Sequence, residues 1–193
     1  MTQQYPYKKI LITGGCGFIG SSYIKNLLEN YHGYEIMNLD IMSYATSKKT
    51  LDLFKQYKNF EHSYTDISDI DEVKKILKSF LPDLVINFAA ESHVDNSIDG
   101  AWPFIQSNVI GTFNLLEASK SLIVDKNFLF HQISTDEVFG DLENEDPAFE
   151  ENDPYDPSSP YSASKASSDM LVSAWGRTYQ MPYLITNCSN NFG

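Results

Sequence analysis

The chain has 193 residues, 42% of them hydrophobic and 21% charged, which suits one globular domain with a sizeable core. Its formal net charge of −12 argues against a nucleic-acid or membrane-surface partner, since both need a basic patch. The two cysteines, Cys16 and Cys188, lie far apart without metal-ligand spacing, and neither a signal peptide nor a bilayer-length apolar run is present; no metal and a reducing, cytoplasmic location are expected.

Met1 to Pro6 reads as a short polar tail. Lys8-Lys9-Ile10-Leu11-Ile12-Thr13 is an apolar run of the kind that forms a buried parallel strand. Gly14-Gly15-Cys16-Gly17-Phe18-Ile19-Gly20 follows at once, and Ser21 to Asn30 reads as a helix. Gly15-x-Gly17-x-x-Gly20 fits a dinucleotide fingerprint, and Gly14-x-x-Gly17-x-x-Gly20 fits a variant of it. Bare backbone there turns tightly, approaches a pyrophosphate and aims a helix N-terminus at its charge. Gly14, Gly17, Phe18, Ile19 and Gly20 are therefore candidate cofactor contacts.

Tyr34 to Asp40 is the second strand, and Asp40 stands at its end, twenty residues past Gly20. An acid there accepts hydrogen bonds from the adenosine ribose and repels a 2′-phosphate, which favours NAD over NADP. Ile41 to Lys58 reads as a loop and a short helix, its lysines (Lys48, Lys49, Lys55, Lys58) on a solvated face. Phe60 to Tyr64 is a short third strand ending near Asp66-Ile67. There an acid can meet the adenine amino group while its apolar neighbour packs on the ring, but Asp66 could equally cap the helix from Asp69 to Phe80.

Asp83 to Phe88 is the fourth strand, closed by Ala89-Ala90-Glu91-Ser92-His93-Val94-Asp95. Two small residues, Ala89 and Ala90, allow close approach of a nicotinamide ribose; Glu91 could touch a substrate, whereas His93 reads as a packed loop histidine. Trp102 to Leu122 is a long helix with Pro103 in its first turn and Ile105, Val109, Phe113 and Leu116 as its core stripe. Asn108 either bonds backbone near an active site or faces solvent.

Asn127 to Ile133 is the fifth strand and leads into Ser134-Thr135-Asp136-Glu137-Val138-Phe139-Gly140. Two hydroxyls and two adjacent carboxylates thus stand where a central strand ends, the place where open parallel sheets bind ligands. Gly140 to Pro160 is rich in acid (Asp141, Glu143, Glu145, Asp146, Glu150, Glu151, Asp153, Asp156) and in proline, and reads as an exposed loop. Ser159-Pro160 caps a helix from Tyr161 to about Gln180, which puts Lys165 one turn after Tyr161 on the same face. Met181 to Cys188 is a sixth strand. The alternation of strands and helices predicts an α/β, doubly wound, parallel, Rossmann-like sheet.

Tyr161 and Lys165 suit hydride transfer: the ammonium would lower the tyrosine pKa and hold the nicotinamide ribose while Tyr161 takes a hydroxyl proton, with Thr135 supplying a second hydroxyl. On these residues the sequence resembles the extended short-chain dehydrogenase/reductase family and, more narrowly, is similar to the dTDP-glucose 4,6-dehydratases. The matching segments are Thr13–Gly20, Asn87–Asp95, Ser134–Gly140, Tyr161–Ala166 and Asn187–Gly193. The Thr-Asp-Glu motif is the specific one, since related epimerases lack the acid pair.

The resemblance implies NAD as cofactor and dTDP-glucose as substrate. Tyr161 and NAD oxidise the C4 hydroxyl, Glu137 takes the C5 proton while Asp136 protonates the leaving C6 hydroxyl, and hydride returns to C6. It also implies sugar contacts from Glu91, Thr135 and Asn190, and a homodimer pairing the 102–122 and 161–180 helices. Asn96, where the family usually has arginine, and Thr46-Ser47-Lys48, in place of Ala-Gly-Asn, depart from the pattern. On this reading residues 1–193 are the NAD-binding domain with the catalytic residues, the substrate domain is missing or truncated after 193, and the 193-residue piece alone turns over poorly. The competing readings are a nucleotide-sugar 4-epimerase and a non-catalytic NAD-binding fragment.

Overall fold

The structure, a computed structural model, describes residues 3–123, 127–143, 145 and 147–192. Met1, Thr2, Asp146 and Gly193 of the sequence reading lie outside the described residues. The chain runs β1 (Gln3–Gln4), β2 (Lys9–Thr13), α1 (Phe18–Asn30), β3 (Tyr31–His32), β4 (Glu35–Leu39), α2 (Lys48–Phe54), β5 (Phe60–Ser63), α3 (Ile70–Phe80), β6 (Leu84–Asn87) and α4 (Val94–Asp99). There follow α5 (Trp102–Phe104), a π-helical stretch (Ile105–Gly111), α6 (Thr112–Ser119), β7 (Leu129–Thr135), a 3-10 turn (Asp136–Phe139), α7 (Pro160–Tyr179) and β8 (Tyr183–Cys188).

Six strands form one parallel sheet in the order β5-β4-β2-β6-β7-β8. The chain leaves β2 towards β4 and returns to the other side of β2 at β6, so the direction of winding reverses between them. A crevice opens there, outside the carboxyl ends of the strands. Because strand side chains alternate, each strand feeds two cores. Ile10, Ile12, Ile36 and Ile86 pack with Ile24 and Leu27 of α1, while Leu11, Leu39, Val85 and Phe130 pack with Leu77, Leu115 and Val172 of α3, α6 and α7. Full burial of one such side chain contributes about 1.5–3 kcal/mol.

On the second face, two residues beyond Leu11, Val85 and Phe130, the pattern turns polar. Thr13 Oγ1 donates to Asn87 Oδ1 at 2.6 Å, and Asn87 Nδ2 donates to Gln132 Oε1 at 2.9 Å and Thr112 Oγ1 at 3.1 Å. Gln132 Nε2 then reaches Ser168 Oγ at 3.3 Å. This satisfied polar layer ties β2, β6 and β7 to α6 and α7 directly beneath the crevice, and specifies one arrangement of them.

Several expectations are corrected. Gln3 and Gln4 are not a loose tail but pair with Tyr31 and His32, and Tyr5 bonds Tyr23 hydroxyl to hydroxyl at 2.6 Å. The core stripe predicted for 102–122 fails: Ile105 is 38% exposed and Phe113 39%, Val109 is half-buried, and only Leu116 is buried. The π stretch widens the turn over Ile105–Gly111 and rotates the inward face, so Phe104, Asn108, Gly111 and Leu115 point in. β7 runs to Thr135, carrying the hydroxyls on the strand itself. The acidic loop is not wholly exposed, since Phe149 and Tyr155 pack on Phe139 with ring centroids 5.3 and 5.1 Å away. Helix α4 was not foreseen at all. Among the described residues, no helix is long and apolar enough to cross a membrane.

Candidate active site

The glycine turn is built by its neighbours. Gly14 adopts φ +67°, and a Cβ there would stand 2.7 Å from the backbone of Ala89, so the close approach of β2 and β6 requires glycine. Asn38 Oδ1 accepts from Gly15 N at 3.0 Å, and Asp40 Oδ2 from Cys16 N at 2.9 Å. Gly17, the N-cap of α1, carries no side-chain cap, and Gly14 O at 3.3 Å is all a Cβ there would meet. The first-turn amides of a 13-residue helix are thereby open to an anion.

A cavity of about 530 Å³ lies at this crevice. Gly14, Gly17, Phe18, Ile19 and Gly20 form one wall, and Asp40, Asp66 and Ile67 come from the ends of β4 and β5. Ala89, Ala90 and Glu91 follow β6, and Tyr161 and Lys165 close the far end from α7. The wall therefore offers open helix amides, a buried acid and apolar surface in sequence, which is the donor set a dinucleotide needs. Asp40 Oδ1 already accepts from Met42 N at 2.8 Å, leaving lone pairs on both oxygens for hydroxyl donors. Of the two readings of Asp66, the cap falls away: Asp69 Oδ1 accepts from Asp71 N and Glu72 N and caps α3, while the Asp66 carboxylate accepts from Ser68 N ahead of the helix. Among the described residues no group of three or more His, Cys, Asp or Glu could hold a metal ion.

At the Tyr161 end, β7 and α7 converge. Ser159 and Ser162 form a reciprocal capping box that sets the start of α7, and Tyr161 N reaches Ser97 Oγ at 3.3 Å. Thr135 Oγ1 accepts from Glu137 N and donates to Asp136 Oδ1, each at 3.3 Å, which caps the turn after β7 and ties the Asp136 carboxylate to Thr135. Burial raises the Glu137 pKa, with Asp136 and Asp141 adding repulsion. Burial also pushes Tyr161 up to about 12; Glu137 adds to this, and hydrogen bonding by Thr135 opposes it. The expectation that Lys165 lowers Tyr161 is not met in this geometry. The ammonium is buried and donates instead to the Ile133 carbonyl at 2.7 Å.

Two substrate candidates sit apart. Glu91 lines the cavity, its Oε2 accepting from the Tyr44 hydroxyl at 3.2 Å, whereas Asn190 lies in exposed chain beyond β8 and outside the cavity wall. His93 stacks near Tyr44 with ring centroids 5.9 Å apart.

Residues 11–193 match the family described as GDP-mannose 4,6 dehydratase. The chain belongs to the GDP-mannose 4,6 dehydratase family. It is 47% identical over 192 residues to the dTDP-glucose 4,6-dehydratase of Neisseria meningitidis serogroup B, covering 96% of this chain and 54% of that protein. The dTDP-glucose 4,6-dehydratase of Bacillus anthracis, crystallised with NAD, superposes with a TM-score of 0.85 at 38% identity, over 96% of this chain and 56% of that one. The UDP-glucose 4-epimerase of Thermus thermophilus, also with NAD, gives 0.80 at 29% identity over 93% and 54%. The chain thus spans about half the length of the relatives it matches.

Of the two readings of Asn108, the bond to backbone beside the site holds, and further residues that carry no motif also shape the site. Asn108 is 1% exposed; its Nδ2 donates to Glu91 O at 3.0 Å and Ser164 Oγ at 2.8 Å, and its Oδ1 accepts from Glu91 N at 2.9 Å. Asn108 therefore fastens the loop after β6 to α7. Asn187 Nδ2 holds Thr135 O at 3.0 Å from β8. Asn38 and Asp169 carried no motif. A polar residue in an otherwise apolar run was the one available signal, and it was read only for Asn108.

Proposed function

We propose that this chain binds NAD and carries the catalytic residues of a 4,6-dehydratase acting on dTDP-glucose. The observation that carries the reading is the Asp136–Glu137 pair in the turn that Thr135 caps at the end of β7, where both carboxylates act by charge on Tyr161. A 4-epimerase needs only Tyr161 and Lys165. Gly14, Gly17, Phe18, Ile19 and Gly20 would receive the pyrophosphate, Asp40 the adenosine ribose, Asp66 and Ile67 the adenine, and Ala89, Ala90, Tyr161 and Lys165 the nicotinamide end. NAD supplies a hydride acceptor at C4 and later the hydride for C6.

The chain's own residues do the rest. Tyr161 takes the C4 hydroxyl proton, assisted by Thr135. A C4 ketone acidifies the C5 proton, which Glu137 removes; its raised pKa moves it towards the range of an effective base. Asp136 gives a proton to the C6 oxygen as water leaves, and C5 takes a proton back when hydride reaches C6, a division of roles that follows the family resemblance. Glu91 and Asn190 would contact the sugar.

The compartment proposed is the reducing cytoplasm, in keeping with the free Cys16 and Cys188. The assembly proposed is a homodimer. Trp102 is 68% exposed and Met170 61%, and with Ile110 and Phe113 they leave apolar surface on the two helices that would pair.

The full-length natural polypeptide, incubated with NAD and dTDP-glucose, should yield a product lighter by one water in mass spectrometry. An unchanged mass would overturn the dehydratase reading, and inversion at C4 would then establish the epimerase.

A further inference from the structure

Asp169 is a buried acid for which the reaction above has no use. It lies one turn after Lys165 on α7 and is almost fully buried. Its Oδ2 accepts from Ser134 Oγ at 2.5 Å and from the Tyr155 hydroxyl at 3.3 Å. Its Oδ1 is buried with no hydrogen-bond partner among the described residues. Burying an acid in this way is expensive: burial leaves it raised to about 6 although Ser134, Lys165 and Tyr155 all favour the anion.

The compensation is electrostatic. Lys165 is buried too, and among the described residues its ammonium has one hydrogen-bond acceptor, the Ile133 carbonyl. Burial lowers its pKa, and a buried lysine without a counter-charge can lose its proton near neutral pH. The groups that oppose this are Asp169, from the same face of α7, and Cys188, from the end of β8. Asp169 is the stronger acid of the two. Ser134 precedes Thr135 on β7, so the carboxylate also pins the strand end that presents Thr135, Asp136 and Glu137.

We propose that Asp169 is a positioning residue for the reaction: held by Ser134 and Tyr155, its carboxylate supplies the counter-charge that keeps the buried Lys165 ammonium protonated beneath the active site. This rests on the reading of Tyr161 and Lys165 given above. A neutral Lys165 could not serve as a cation towards a ribose.

The test is Asp169→Asn in the full-length natural polypeptide. Asparagine keeps an oxygen for Ser134 and Tyr155 but removes the charge. The Lys165 pKa then falls, so the alkaline limb of kcat for dTDP-glucose should move to lower pH by about one unit, a roughly tenfold loss on that limb. KM and the melting temperature should change little. A variant profile parallel to that of the unsubstituted protein would overturn the proposal, because a merely structural role lowers kcat equally at every pH. If the variant does not fold, carbon-13 NMR of lysine-labelled unsubstituted protein decides: Lys165, assigned by Lys165→Arg, should be charged near neutral pH, and a neutral Lys165 would sink the idea. Lys165→Met separates the two levels. If it leaves turnover intact, the Tyr161–Lys165 reading itself fails; if it abolishes turnover while Asp169→Asn keeps the ordinary profile, only the role of Asp169 fails.

Discussion

Glu137 carries the distinction between elimination and simple oxidation. Glu137→Gln should leave C4 oxidation, read as NADH formed in a single turnover, and slow loss of water by about 10²–10⁴-fold, the usual contribution of a positioned base. Loss of NAD reduction in that variant would mean Glu137 acts earlier. The pH dependence has a definite sign. Burial, Asp136 and Asp141 raise the Glu137 pKa, so elimination should fail, as pH drops, at a higher pH than it would with an ordinary glutamate. Asp141→Asn removes one of the two repulsive charges and should shift that acid limb to lower pH; an unmoved limb would assign it to another group.

At the scale of elements, the start of α7 determines where Tyr161 and Lys165 stand. Ser159 Oγ accepts from Ser162 N at 3.0 Å, Ser162 Oγ accepts from Ser159 N at 3.0 Å, and Pro160 follows the cap. Ser159→Ala should cost about 0.5–2 kcal/mol. In a chain of this size each kcal/mol lowers the melting temperature by roughly 2–4 °C, which calorimetry can resolve. The neighbouring helix teaches a different lesson. Its predicted stripe of Ile105, Val109 and Phe113 follows a regular helical period, but the π stretch breaks that period and puts Asn108 inside. Hydrogen bonds to Glu91 and Ser164 outweigh the local hydrophobic pattern there.

For the whole molecule, a reversal of winding between β2 and β6 brings residues from the ends of β2, β4, β5, β6 and β7, from the π stretch and from α7 around one cavity. The polar layer of Thr13, Asn87, Gln132 and Ser168 joins the strands and α7 beneath it. The opposite situation holds on the outer face of α5, the π stretch and α6, where Trp102 and Ile110 have little cover. For the proposed homodimer, Trp102→Glu in the full-length polypeptide should shift sedimentation from dimer towards monomer, because a charge buried in an apolar interface without a partner is strongly unfavourable. An unaltered sedimentation coefficient would place the contact elsewhere.

Local rules sufficed where the signal is local. The glycine spacing, the apolar strands, the Ser159-Pro160 cap and the one-turn offset of Tyr161 and Lys165 depend on neighbours a few residues apart, and each is legible in the chain itself. So was the acid pair after β7, since a strand end is marked by the close of its apolar run. Tertiary structure decided what depends on partners distant in sequence. It set which face of the 102–122 helix is inside, and it made Phe149 and Tyr155 an anchor for an acidic loop. It turned the Lys165 ammonium to Ile133 and enclosed Asp169 behind Ser134 and Tyr155. Burial and through-space charge, the causes of the Tyr161, Lys165 and Asp169 shifts, exist only once β7, α7 and β8 have come together.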